Sequence, residues 1–267
     1  MHRNSSLMKK YAYLFSFLLL ASCEKVINID LNNATPRLVI QGNITDAPGL
    51  LSHHVLLSQT TDFSANGNTN PVTGAVVVVT DSTLNISDTL LETSPGDYVT
   101  QNILGISGHR YLLFVQSAGK SYTASSQMPE VIPFDSLYNQ KLNIFGNDVN
   151  QFVPVFQDPA GVKNFYRFTI QINDSLQNDV EAWDDKLTDG KLNSRPITIG
   201  NSDLFRGDDT VIIQMRCIDE GAYNFFNTFY NATGDAQTPA NPTSNISNGA
   251  LGYFSAYTAR NRTIIVP

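Results

Sequence analysis

From residue 36 to the end of the chain, short runs of alternating apolar and polar residues recur, punctuated by Gly, Pro, Asn and Asp. A period of two is that of a strand with one buried face, and the punctuation supplies turns. The pattern dictates an all-β chain. Strands are expected at 37–45, 55–59, 75–80, 84–90, 111–116 and 122–126. The valine-dense run at 75–80 does not alternate, so it reads as a strand covered on both faces. Three turns lead from Gly to Tyr: Gly96-Asp97-Tyr98, Gly108-His109-Arg110-Tyr111 and Gly119-Lys120-Ser121-Tyr122. Each Gly can adopt positive φ, and each Tyr can begin a strand with its ring packed and its hydroxyl near the edge. Elements spaced about 8–12 residues apart imply a β-sandwich, here over 36–128.

Met128-Pro129-Glu130-Val131-Ile132-Pro133 then breaks the pattern. Prolines hold the chain extended and exclude helix, so 129–134 reads as a linker. A second β-rich domain is expected over 135–267, with strands at 137–142, 153–157, 165–172, 196–199, 210–218 and 263–266. One short helix belongs to it. Asp219 or Glu220 can cap its start, Tyr223, Phe226, Phe229 and Tyr230 fall at helical spacing, and Gly234 can end it. Residues 235–248 read as a loop.

Ahead of these lie Arg3, Lys9 and Lys10, an apolar run at 11–20, and Leu20-Ala21-Ser22-Cys23. The run is shorter than the roughly 20 residues that a membrane span requires. It has the layout of a secretory signal over 1–22. The last four residues resemble the lipobox of bacterial lipoproteins, in which the thiol, here Cys23, is acylated before cleavage. Multiple acyl chains give a stable anchor, and 23–35 would be the tether. With Cys23 acylated only Cys217 remains, so no intramolecular disulfide can form and stability must come from core burial. Val211, Ile213, Met215 and Cys217 share one strand face, which makes Cys217 a buried, inert thiol.

Composition removes several function classes. With 17 Lys+Arg against 24 Asp+Glu the formal charge is −7, and the basic footprint of a nucleic-acid binder is missing. There is no nucleophile elbow, phosphate loop or His-Glu-x-x-His motif. The neighbours His53 and His54 point to opposite faces of a strand and cannot chelate one metal there. His109 sits in a Gly-flanked turn and is expected to face solvent. Three acidic or amide-rich groups offer hard oxygen donors: Asp62 with Asn66, Asn68 and Asn70; Asp184, Asp185 and Asp189; and Asp203, Asp208 and Asp209. None has the spacing of a calcium hand, and polar turns account for them equally. No metal, cofactor or catalytic residue is assigned. Trp183, set among Glu181, Asp184 and Asp185, is the aromatic best placed for an exposed contact. Asn66 and Asn68 mark a second candidate contact loop.

A family resemblance follows from several segments together. Cys23-Glu24-Lys25-Val26-Ile27-Asn28-Ile29-Asp30-Leu31 precedes Pro36-Arg37-Leu38-Val39-Ile40-Gln41-Gly42-Asn43-Ile44-Thr45-Asp46. Pro71-Val72-Thr73-Gly74-Ala75-Val76-Val77-Val78 and Tyr122-Thr123-Ala124-Ser125-Ser126-Gln127-Met128-Pro129 follow. Near the end stands Ser244-Asn245-Ile246-Ser247-Asn248-Gly249-Ala250-Leu251-Gly252-Tyr253-Phe254-Ser255-Ala256-Tyr257. The arrangement resembles a large family of Bacteroidota lipoproteins known only as a domain of unknown function. The resemblance implies an immunoglobulin-like or carboxypeptidase-regulatory-like sandwich followed by a second β-rich region. It also implies an outer-membrane location and genes beside TonB-dependent receptors. It carries over no catalytic residue. Asp followed by Ser or Thr, at Ser82, Thr89, Ser136, Ser175 and Thr210, resembles the O-glycosylation acceptor of exported proteins from the same group. Turns leading into strands produce the same dipeptides.

The expectation is a lipid-anchored, non-catalytic binding accessory to a TonB-dependent receptor in nutrient uptake, on the periplasmic or the cell-surface face of the outer membrane. Its small-molecule, peptide or glycan ligand is left open. The rival expectations are an adhesin that contacts surfaces without a receptor, and a hydrolase using dispersed carboxylates. Sandwiches host all three roles.

Overall fold

The computed structural model describes residues 35–47, 53–61, 70–144, 146–177, 181–198, 207–233 and 241–266. The signal at 1–22, Cys23 and the tether as far as residue 34, Asp62, Asn66, Asn68 and Asp203 lie outside these. The N-terminal part forms β1 (Leu38–Thr45), β2 (His54–Gln59), β3 (Asn70–Pro71), β4 (Val76–Asp81), β5 (Ile86–Thr89), β6 (Leu91–Ser94), β7 (Asp97–Val99), β8 (Arg110–Ser117) and β9 (Lys120–Gln127). It is followed by β10 (Ser136–Ile144), β11 (Asn147–Gln157), β12 (Phe165–Ile172), β13 (Ser175–Leu176) and β14 (Glu181–Asp184). The last elements are β15 (Leu192–Asn193), β16 (Ile197–Thr198), β17 (Thr210–Ile218), the helix α1 (Glu220–Thr233) and β18 (Leu251–Ile265). Among the described residues the chain is all-β apart from this helix, as its periodicity dictates. Among the described residues no helix is long and apolar enough to cross a membrane.

Ten strands make one large sheet. Its order is β13-β12-β17-β18-β1-β2-β7-β6, with β14 added to β12 and β3 to β2. Two four-stranded sheets, β5-β4-β8-β9 and β10-β11 with β15 and β16, complete the fold. Inward residues of β1 and β18 (Ile40, Ile44, Phe254, Ala256) share one core with Val77, Val79, Leu113 and Val115. Inward residues of β12 and β17 (Phe168, Ile170, Ile213, Met215) share a second core with Phe152 and Phe156 of β11. The register of β17 on β18 pairs Cys217 with Thr258 and Met215 with Arg260. Both small sheets therefore cover the same face of the large one. The opposite face is covered by α1, through Ala222, Phe225 and Phe226 against Phe165, Tyr257 and Ala259.

The regions 36–128 and 135–267 are thus two cores on one backing sheet rather than two separate bodies, and Pro36–Pro267 is one compact unit. The strand responsible is β18, which lies between β17 and β1 and pairs parallel with β1 from Val39↔Leu251 to Thr45↔Tyr257. Only its last residues show in the sequence as a strand. Its middle carries Phe254, Ser255, Ala256, Tyr257, Thr258 and Ala259, all buried, because sandwich core lies on one side and α1 on the other. A strand buried on both faces loses its alternation. The valine run differs in the opposite sense. Val77 and Val79 are buried, whereas Val76 and Val78 face outward beside Leu112 and Phe114.

All three Gly-to-Tyr turns form. Gly96, Gly108 and Gly119 have φ of 75°, 78° and 74°, and Tyr98, Tyr111 and Tyr122 are buried. The Tyr111 hydroxyl donates to Leu104 O and accepts from Ile106 N, both at 2.8 Å. The Tyr98 hydroxyl donates to Val72 O and accepts from Ala75 N. The Tyr98 and Tyr111 rings fill the core while their hydroxyls pair part-buried loop backbone.

The described end of the 235–248 loop is structural. Asn245 accepts from Phe254 N at 2.9 Å and donates to Phe254 O at 2.7 Å, and Ile246 and Ala250 are buried in the first core. Ser247 N donates to Thr123 O and Ser247 Oγ accepts from Thr123 N, both at 2.8 Å, which closes the free edge of β9.

Candidate functional site

Three segments meet at the start of α1. Asp219 caps the helix: its Oδ1 accepts from Ala222 N at 2.9 Å and its backbone O from Tyr223 N at 2.9 Å. Its Oδ2 accepts from Gln127 N at 3.1 Å, which ties the cap to the end of β9. Burial pushes the Asp219 carboxyl above its ordinary value, against the hydrogen bonds from Ala222, Ser126 and Gln127 that pull it down. The extended residues 129–132 run past this cap, and the loop 159–164 faces them. Between the three lies a cleft of about 500 Å³, floored and walled by Pro129, Val131, Ile132, Val162, Phe165 and Ile218. Its rim carries Glu130, Asp219 and Glu220 against one cation, Lys163. Lys163 Nζ bridges the mouth to Glu220 Oε1 at 2.6 Å. Val162 is 55% exposed and Val131 37%, so apolar surface stands open at the entrance. The lining contains no Ser, Cys or His.

One wall of the cleft is held from behind by an acidic knot. Asp158, Asp185 and Asp189 place a carboxylate oxygen each within 4.8 Å of the others, with Asp158 and Asp185 buried. Asp158 accepts from the Tyr166 hydroxyl and from Gly190 N, Asp185 from Asn164 N at 2.5 Å, and Asp189 from Gly161 N at 2.7 Å. Gly161 and Asn164 belong to the cleft loop, so the knot sets that loop's position. Burial raises the Asp158 carboxyl above its ordinary value. The hydrogen bonds from Tyr166 and Gly190 oppose this, and the neighbouring Asp185 and Asp189 charges add to it. The three oxygens are hard donors of the kind a divalent cation takes. They fall short of the six to eight oxygens of a calcium shell, so water or backbone would have to supply the rest.

A second, more open groove of about 700 Å³ crosses the outer face of β4, β8 and β9. Leu112 and Phe114 lie on its floor and residues 244–247 along its border.

The sequence-derived candidates distribute as follows. Trp183 is not a surface contact. It is 2% exposed, sits in the second core 4.4 Å from Phe168, and has Arg195 over its ring at 4.7 Å. Strand alternation explains it: β14 turns Trp183 inward while Asp184 turns out to Lys186 at 2.9 Å. Asp185 and Asp189 do come together, but with Asp158 in place of Asp184. The signal for that partner was absent locally, since Asp158 follows β11, more than twenty residues earlier. His109 is half-hidden rather than solvent-facing, because its Nδ1 meets the buried Asp81 Oδ2 at 2.7 Å. His54 pairs with Asp97 at 2.8 Å. Cys217 is buried, and burial pushes its thiol up to about 11. Ser82, Thr89, Ser136, Ser175 and Thr210 are all exposed. Two of the Asp residues before them have structural duties. Asp81 binds the turn amides of Thr83 and Leu84, and Asp88 binds Thr100, Gln101 and Asn102.

No curated protein matches the sequence. A family model described as a domain of unknown function (DUF4249) matches residues 24–263, which takes in the cleft, the first core, most of the second core and β18 as far as Thr263. The chain therefore belongs to the DUF4249 family.

Proposed function

We propose that this protein is a lipid-anchored outer-membrane lipoprotein that serves a TonB-dependent receptor as a non-catalytic binding accessory. In this reading the cleft beside the α1 N-terminus receives an apolar group bearing a positive charge. The observation that carries it is the cleft itself: an apolar lining, three carboxylates against one ammonium at the rim, and no serine, cysteine or histidine in the wall. Concave apolar sites with a few placed polar groups are where small ligands and partner side chains bind. The rim charge selects for a cation. The lipobox at 20–23 supports the anchor, and the family resemblance supports the receptor partner. Neither Trp183, which is buried, nor the Asn66-Asn68 loop has a part in this reading.

The test is affinity purification of the tagged full-length lipoprotein from gently solubilised outer membranes, with mass spectrometry of what accompanies it. A stoichiometric TonB-dependent receptor is expected. Val162→Lys, which places a cation at an exposed position of the cleft mouth, should lower the recovered receptor several-fold without unfolding the protein. Recovery of no receptor from membranes rich in folded protein would remove the accessory role. Undiminished recovery with Val162→Lys would remove the cleft from it.

A further inference from the structure

The antiparallel register of β12 on β17 sets Arg167 directly opposite Arg216. Both lie on the face of the large sheet that carries α1. Like charges directly opposite on neighbouring strands repel. Neither guanidinium is neutralised here, since among the described residues no carboxylate pairs with either. Aromatic rings take that place. Arg167 lies 3.9 Å from the Phe226 centroid and Arg216 4.7 Å from that of Tyr257. Arg216 Nε donates to Gln214 Oε1 at 2.5 Å, and Arg167 Nε is buried with no hydrogen-bond partner. Burial, and then the charge of Arg216, lowers Arg167 to about 10, which leaves it a cation at neutral pH. In a chain where acids outnumber bases, an uncompensated and opposed pair of arginines is strongly unfavourable unless something else supplies the negative charge.

The surroundings provide a seat for it. One row further along the sheet, Thr169 lies opposite Gln214, and Gln214 opposite Asn261. These three, with Gln171, Ile212 and Leu176, line a cleft of about 150 Å³ that ends at Arg216. The lining offers hydroxyl and amide donors and a guanidinium, and contains no carboxylate. Because Gln214 Oε1 accepts from Arg216, its amide nitrogen is left to donate to an occupant. The volume admits a small oxyanion or the anionic end of a larger solute.

We propose that this cleft is an anion site, in which the carboxylate, sulfate or phosphate group of a solute binds Arg216, with Arg167 reinforcing the field and Gln214, Asn261 and Thr169 donating hydrogen bonds. It is lined by none of the residues of the cation-selecting cleft at the α1 N-terminus and does not depend on that reading.

Thermal unfolding at constant ionic strength tests it, with sodium chloride replaced stepwise by sodium sulfate, sodium phosphate or sodium acetate. Sulfate and phosphate stabilise most proteins by exclusion, so the wild type is compared with Arg216→Gln and with Arg167→Met, which keeps the stack on Phe226. For at least one ion the wild-type melting temperature should rise and saturate, as site binding requires. That saturating part should vanish in Arg216→Gln and need several-fold more ion in Arg167→Met. In chloride alone Arg216→Gln should melt higher than the wild type, because one of two opposed charges is gone. A response to acetate identifies a carboxylate ligand, and a response to sulfate or phosphate alone identifies a tetrahedral one. Equal, non-saturating rises in wild type and either variant would overturn the proposal and leave the arginines as packing groups.

Discussion

Gly42 and Phe254 are register partners across the parallel pair of β1 and β18, and a Cβ at residue 42 would stand 2.7 Å from Phe254 Cδ2. The ring fills the space the glycine leaves, and it is fully buried in the first core. Two strands from opposite ends of the sequence are locked together at this point. Gly42→Ala is expected to cost about 1–3 kcal/mol, the usual range for overpacking a close-packed core. A lower urea midpoint with an unchanged m-value would report it.

The tyrosine hydroxyls are expected to matter beyond their rings. Tyr111→Phe keeps the ring but leaves Leu104 O and Ile106 N without their shared partner. The expected loss is about 1–3 kcal/mol. Tyr122 has no such bridge among the described hydrogen bonds, so Tyr122→Phe should change the melting temperature far less.

Acid should destabilise the N-terminal sandwich through Asp81 and Asp88. Burial would raise both carboxyls. The bonds from His109, Leu84 and Thr83 to Asp81, and from Thr100, Asn102 and Gln101 to Asp88, more than offset this and hold both below the ordinary carboxylate value. The unfolded chain then binds more protons than the native one below about pH 4. Their contribution is complete above that pH and is lost as pH falls through the depressed native values. Asp88→Asn should lower the melting temperature at neutral pH and flatten its decline between about pH 4 and 2.

The acidic knot carries the opposite sign. Asp158 is raised in the native state, so the folded protein holds its proton to higher pH than the unfolded chain, and stability falls as pH rises through that window. Asp189→Asn keeps an oxygen to accept from Gly161 N and removes one of the three charges. In chelator-treated buffer at neutral pH this variant should melt higher than the wild type, and its stability should decline less as pH rises above about 4. An unchanged melting profile would show that Asp189 adds nothing to the strain on Asp158.

What the sequence determined by itself is what short-range physics controls. Alternation at 165–172 and 210–218 matches β12 and β17 to within a residue, and it turns Cys217 inward. Gly before Tyr specifies turns that only a positive φ can make. The helix starts where Asp219 can cap it and is described as far as Thr233, Gly234 lying outside the described residues. The tertiary structure decided everything that depends on which edges meet. The position of β18 was hidden because cover on both faces erases the period of two. Trp183 was drawn inside although its neighbours are acidic, since adjacent strand residues point opposite ways. The Asp158, Asp185 and Asp189 knot, and the facing of Arg167 by Arg216, join residues far apart in the chain. Local pattern states that a strand exists and which of its faces is apolar. It carries no record of the partner strand or the register, and those two choices place charges beside charges and open the clefts.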